Sequence, residues 1–143
     1  MLLVIGISIV VVMVLLITAT NSLKYVREIQ VTQRLQAEGD YLINKLAYWI
    51  RQGKQLPTPG TVSAELEITL TDDSKKIFKK DSDNKVILET RNAAGTLISS
   101  EVLTDKLKIT NSDIFTTKVN AVKINLVTDS NFFLKTILAK RNF

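Results

Sequence analysis

MLLVIGISIVVVMVLLI, residues 1–17, sets the problem that the rest of the fold must solve. It is apolar throughout except for Ser8 and the permissive Gly6. The first charged side chain is Lys24 and the first proline is Pro57. Residues 2–23 are thus an uncharged run, and as a helix they would span ~33 Å, against a hydrocarbon core of ~30 Å. Val and Ile are modest helix formers in water. Lipid nevertheless forces a helix, because every backbone N–H and C=O must be satisfied within the segment. A cleaved secretory signal would show a basic start, a shorter apolar run and a small-x-small cleavage site. No Lys or Arg precedes this run, and its only small pair, Thr18 and Thr20 around Ala19, is weak.

Working outward, residues 24–34 turn polar but keep scattered apolar positions at Val26, Ile29 and Val31. From Leu35 the spacing tightens. Leu35, Gly39, Leu42, Leu46 and Trp49 recur at alternating intervals of four and three, and Ile43 and Ile50 widen the stripe. That is one buried face of an amphipathic helix. Glu38, Asp40, Asn44, Lys45 and Arg51 fall mostly off it. Gln52-Gly53, Pro57, Pro59 and Gly60 then stop the helix. No Gly or Pro lies between Ile7 and Glu38, which predicts one rod over residues 2–51 and no flexible linker. Gly39 inside a helix costs about 1 kcal/mol relative to Ala. A close helix–sheet approach, or a bend, is the compensation to look for.

Beyond Gly60 the period changes to two. Leu66, Ile68 and Leu70 alternate with Glu67, Thr69 and Thr71 as a half-buried strand. Residues 75–80 and 85–91 flank the turn-prone Asp81-Ser82-Asp83-Asn84 and read as a hairpin. Asn92-Ala93-Ala94-Gly95 is a second turn before a strand at 96–103. Leu107 and Ile109 alternate with Lys106, Lys108 and Thr110. Val122, Ile124 and Leu126 alternate with Lys123, Asn125 and Val127. Asp129-Ser130-Asn131 then turns the chain into a last strand at 132–140. Six or seven short strands with no helix between them predict an antiparallel sheet with one apolar face. The fold class expected is α+β, a long N-terminal helix packed on a small antiparallel β head. Residues 1–23 form the transmembrane half of the helix, 24–52 its amphipathic half, and 61–143 the head. Leu42, Leu46 and Trp49 are expected to face Ile68, Ile124 or Leu126.

Function classes narrow quickly. The chain has no histidine and no cysteine, which excludes Ser-His-Asp and Cys-His catalysis and any ordinary zinc site. Its net charge of +5 resides entirely from Lys24 onward, with lysines at 75, 76, 79 and 80 interleaved with aspartates at 72, 73, 81 and 83. Mixed signs argue for a solvated surface and against a nucleic-acid groove. Asp81 and Asp83, or Asp72 and Asp73, are the weak candidates for oxygen ligands to Ca²⁺, but hairpin turns use the same residues, and no EF-type loop with its Gly and distal Glu follows. Glu65 and Glu67 share one strand face and form a carboxylate pair of glycosidase type only on a face that is expected to be solvated. Tyr41, Tyr48 and Trp49 lie on or beside the helical stripe and read as core or interface residues, with a stacking platform the alternative. Phe132 and Phe133 put one ring on each side of the last strand, so one points away from the core. No cofactor and no catalytic group is expected.

Three stretches together resemble type IV pilin-like proteins, the pilins and minor pseudopilins of pilus and type II secretion machinery. LLVIGISIVVVMVLL (residues 2–16) is similar to the hydrophobic helix that follows the family's processing motif. RLQAEGDYLINKLAYWIRQGKQL (residues 34–56) is similar to the second half of the long helix in minor pilins. FFLKTILAKRN (residues 132–142) is similar to the closing strand. The family's short basic leader, its cleavage-point Gly and the Glu inside the apolar run have no counterpart here, where the first glutamate is Glu28. The register places the family's mature start several residues ahead of Leu2, as a start codon assigned too far downstream or a trimmed chain would produce. Lys24 and Arg27 after the helix would by themselves hold the head in the cytoplasm, and a basic leader would reverse that.

The resemblance implies a non-enzymatic structural subunit of a pilus-like or pseudopilus filament. It would be held in the inner membrane before assembly and would lie in a periplasmic or cell-surface filament afterwards. Its partners would be other pilin or pseudopilin subunits, and a prepilin peptidase. Leu2, Val4, Ile5, Ile9, Val12, Leu15 and Leu16 would line the membrane and then the filament core. Leu35, Gly39, Leu42, Leu46, Trp49 and Ile50 would pack on the sheet. The competing expectation is a single-pass, membrane-anchored β module that binds glycan or protein and does not polymerise.

Overall fold

In the computed structural model the backbone is described for residues 2–129 and 132–140, with side chains from residue 7 onward. The side chains of Leu2, Val4 and Ile5, positions 130 and 131 of the expected last turn, and the terminal Arg141-Asn142 lie outside the described residues. One α-helix, α1, runs Leu2–Gln52 without interruption. No flexible linker interrupts residues 24–34. Arg51 in the last turn suits the negative end of the helix dipole. The Gly53 amide still donates to the Trp49 carbonyl (2.9 Å), after which Lys54 N–H turns to the Thr69 carbonyl (2.8 Å) and the chain leaves the helix.

Two compact units divide the chain, Met1–Arg34 and Leu35–Phe143. The first is helix alone. Among its described residues the second joins the rest of α1 to eight strands: β1 Val62–Ser63, β2 Glu65–Thr69, β3 Lys75–Lys80, β4 Val86–Arg91, β5 Leu97–Val102, β6 Phe115–Lys118, β7 Ala121–Val127 and β8 Phe133–Ala139. The α+β class is as expected, but the single sheet is not. The strands form two four-stranded antiparallel sheets, β2-β3-β4-β5 (sheet A) and β1-β6-β7-β8 (sheet B). The split arises at Ala64. One extended stretch pairs with β6 through Val62 and Ser63 and then, from Glu65, with β3. A period-two pattern reports which side chains are buried and carries no information on which neighbour a strand pairs with.

The strand expected at 106–110 is also corrected. Only Ile109 makes a bridge there, to Thr128. Leu107 and Ile109 are buried as alternation requires, but the backbone of this segment serves two partners. Ile109 N–H donates to the Asn84 carbonyl (2.7 Å) beside sheet A, and Thr110 N–H to the Val127 carbonyl (2.8 Å) of β7. The segment joins the two sheets and extends neither.

Within the second unit, Leu42, Leu46 and Ile50 have no accessible surface, and Leu35 is buried. They share one core with Leu66, Ile68 and Phe78 of sheet A and with Val122, Ile124 and Leu126 of sheet B, and Trp49 packs against its margin half-buried. Two glycines allow this fit. A Cβ on Gly39 would meet Leu134 Cδ1 at 3.0 Å, so a close approach to β8 accounts for glycine there. A Cβ on Gly53 would lie 2.5 Å from Ile68 Cγ2, inside van der Waals contact.

Candidate membrane and assembly surface

The first unit presents its apolar side chains outward. Ile9 and Val12 are 55% exposed, Leu15 62% and Leu16 61%. The helix carries one segment near the N-terminus that is long and apolar enough to cross a membrane, with a mean hydropathy of 1.9 and no burial against the chain's own residues. The hydroxyls that follow do not break its apolar character. Thr18 Oγ1 donates to the Val14 carbonyl (2.8 Å), and Thr20 Oγ1 to those of Leu16 (3.0 Å) and Ile17 (2.9 Å). Such i−4 bonding satisfies a hydroxyl without water, as a lipid-facing or helix-facing site requires.

In the second unit, side chains beside the stripe tie α1 to the sheet. The Glu38 carboxylate accepts the backbone N–H groups of Asp105 (3.0 Å), Lys106 (3.0 Å) and Leu107 (2.9 Å). Further along the helix, Tyr41 Oη donates to Glu101 Oε1 (2.8 Å) on β5, and Lys45 Nζ reaches the same oxygen at 3.2 Å. The Tyr41 hydrogen bond, with Lys45 beside it, holds the Glu101 carboxyl below the usual carboxylate range, and Glu101 raises Lys45. Lys76 Nζ sits 4.2 Å from the centre of the Trp49 ring and donates to Thr90 Oγ1 (2.8 Å). Its burial there lowers its pKa, because the charged form loses solvation. Of the core-or-interface reading of the aromatic trio, only the core alternative is corrected, and only for the two tyrosines. Tyr41 and Tyr48 are exposed, because positions 41 and 48 fall on the flank of a stripe that only one face of the helix buries. Trp49 alone reaches the core margin.

The carboxylate candidates are occupied locally. Asp81 Oδ1 accepts the N–H groups of Asp83 (2.9 Å) and Lys85 (2.8 Å), which closes the β3–β4 hairpin with Asn84 at φ 63°. Asp72 accepts from Ser74 through both hydroxyl and amide, and the hydroxyl bond first of all lowers its pKa. Among the described residues no group of three or more His, Cys, Asp or Glu is placed to hold a metal ion. Glu65 is exposed, and Glu67 pairs with Lys75 at 2.8 Å across the β2–β3 ladder. Phe132 packs against the core while Phe133, 68% exposed, points away from it.

Sequence reasoning missed Glu38 and Glu101. Glu38 precedes Gly39, where the helix comes close to Leu134 of β8, and its carboxylate reaches the loop at 105–107. Glu101 is separated from Tyr41 by 60 residues, and no local signal could have paired them. Compared with known proteins, the chain matches no family model, no curated protein and no solved structure.

Proposed function

We propose that this protein is a structural, non-catalytic subunit of a filament of the type IV pilus or pseudopilus kind, anchored in the inner membrane before assembly. The observation that carries the reading is the division of labour along α1. Its leading segment is apolar and uncovered, whereas its trailing segment is covered by the chain's own sheets. At ~25 cal/mol per Å² of apolar surface, leaving the leading segment in water is prohibitive. Lipid can cover it before assembly and sister helices afterwards, so the transfer keeps apolar surface out of water throughout. Uniform Val, Ile and Leu character suits both environments. A membrane-anchored module that does not polymerise needs only a linker between span and head, whereas α1 is helical throughout that region.

Val11→Lys in the full chain tests this. A lysine near the midplane costs about 2.5–3.5 kcal/mol on the insertion scale. Among sister helices it would place an ammonium amid Val, Ile and Leu side chains. Variant protein that still inserts and folds should be absent from filaments seen by electron microscopy. Normal incorporation of that fraction would overturn the reading. In-frame codons upstream of Met1 for a basic leader, a Gly and a Glu would support the family assignment independently.

A further inference from the structure

The outer faces of the two sheets differ in how their charges are met. On sheet A, Lys75 pairs with Glu67, and Lys79 and Arg91 both pair with Glu89. On sheet B, the outward residues of β7 and β8 include Lys123 and Lys135 but no carboxylate, and neither lysine forms an ion pair among the described residues. Phe133 and Ile137, 68% and 57% exposed, flank Lys135 on the same strand.

That strand is also an edge. Among the described residues β8 ends its sheet and pairs only with β7, in unbroken register over seven residues. Lys140 N–H donates to the Asn120 carbonyl (2.7 Å) beyond one end, and Thr128 N–H to the Phe132 carbonyl (3.2 Å) beyond the other. The alternation of an antiparallel ladder then turns the even-numbered residues of β8 towards β7. The N–H and C=O groups of Phe133, Lys135, Ile137 and Ala139 face away, towards the free edge. The β5 edge of sheet A, by contrast, is blunted. A register shift interrupts its pairing at Thr90/Arg91, and Glu101 is drawn to Tyr41 and Lys45.

An edge of alternating donors and acceptors, repeating at about 6.8 Å, is matched by an extended polypeptide. A phosphate backbone accepts hydrogen bonds but has no donors for the carbonyls, and it has nothing to place against Phe133 or Ile137. The unpaired lysines select negative charge. We propose that the free edge of β8 takes up an extended strand of another protein, whose outward side chains run apolar, acidic, apolar opposite Phe133, Lys135 and Ile137. This does not depend on whether the chain polymerises.

The test uses the full chain in detergent micelles and two fluorescein-labelled peptides, Thr-Val-Thr-Asp-Thr-Val-Thr and the same sequence with Lys in place of Asp. Fluorescence anisotropy should show a preference of roughly three- to tenfold for the Asp peptide. Lys135→Glu, at an exposed position, should reverse that preference with unchanged thermal unfolding. Ile137→Pro removes an outward N–H that β7 does not use and should weaken both peptides. Equal binding of the two peptides, no binding of either, failure of Lys135→Glu to reverse the order, or full binding to the proline variant would each overturn the proposal. Displacement of the Asp peptide by a single-stranded oligonucleotide would overturn it in favour of nucleic acid. Self-association that Lys135→Glu abolishes would overturn it in favour of a second copy.

Discussion

Residues 7–23 and residues 35–50 belong to the same helix, yet the two segments solve opposite problems. The first exposes every large apolar side chain it carries, and the second buries Leu42, Leu46 and Ile50 completely. Backbone geometry is common to both, so the difference lies in composition. The leading segment is apolar all round, and no single face of the chain's own sheets could cover it. The trailing segment confines its apolar residues to one stripe, which a sheet can cover. One half of α1 is covered by its own chain, and the other is apolar, exposed and long enough to cross a membrane.

The largest effect is expected of Leu46→Ala, in the half of α1 that the sheets cover. A truncation at a fully buried site should cost about 2–5 kcal/mol, read by denaturant unfolding of the full chain through Trp49, its only tryptophan. A loss below about 1 kcal/mol would show the stripe to be weakly packed. Gly53→Ala probes the same contact from the opposite direction. Its Cβ would fall 2.5 Å from Ile68 Cγ2, on a β-branched side chain with little freedom to rotate. Overpacking should cost about 1–3 kcal/mol; a stabilised variant would mean that the helix end relaxes freely.

Glu38→Ala removes an acceptor shared by three amides. Water can replace it at Asp105 and Lys106 more readily than at the buried Leu107, so about 1–2 kcal/mol should be lost. Faster amide exchange at 105–107 would localise the effect. Acid should weaken the second unit in a defined direction. Hydrogen bonds from Lys79 and then Arg91 hold Glu89 below the ordinary carboxylate range, and the bond from Tyr41 does the same for Glu101. Groups with depressed folded pKa values stabilise fully above their unfolded pKa, ~4.3, and lose that contribution as pH falls through the folded value. Thermal unfolding should therefore move to lower temperature below about pH 4.3. Glu89→Gln should flatten that acid limb while costing on the order of 1 kcal/mol at neutral pH. The smallest effect is expected in the other half of the helix. Leu15→Ala should change unfolding of the second unit by less than about 0.5 kcal/mol, because Leu15 belongs to the first unit and its side chain is exposed. A larger change would mean that the two halves are energetically coupled.

Local periodicity made much of this fold readable. The recurrence of Leu35, Leu42 and Leu46 identified a covered face, and alternation at Leu66/Ile68 and at Val122/Ile124/Leu126 identified strands with one side in the core. Asp81-Ser82-Asp83-Asn84 marked a hairpin because short polar side chains bond their own backbone. None of these signals says which strand pairs with which. The change of partner at Ala64 and the bridging course of residues 107–110 depend on contacts between distant residues, and a local pattern cannot hold them. Whether Tyr41 and Tyr48 are buried or exposed was unreadable for a related reason. Aromatic character suggests burial, but the width of the covering sheet decides which flank of a helix stays exposed.

By itself, then, the sequence determined that an uncharged helix long enough for a bilayer runs into an amphipathic one, and that β-strands follow. Hydrophobic period and length act within a few residues, so they survive in the linear order. Tertiary structure alone decided that there are two sheets, that Glu38 and Glu101 fasten the helix to loop and strand, and that β8 is left with a free edge beside unpaired lysines. Each of these rests on hydrogen bonds and charges brought together across tens of residues, and their energies exist only once the chain has closed those distances.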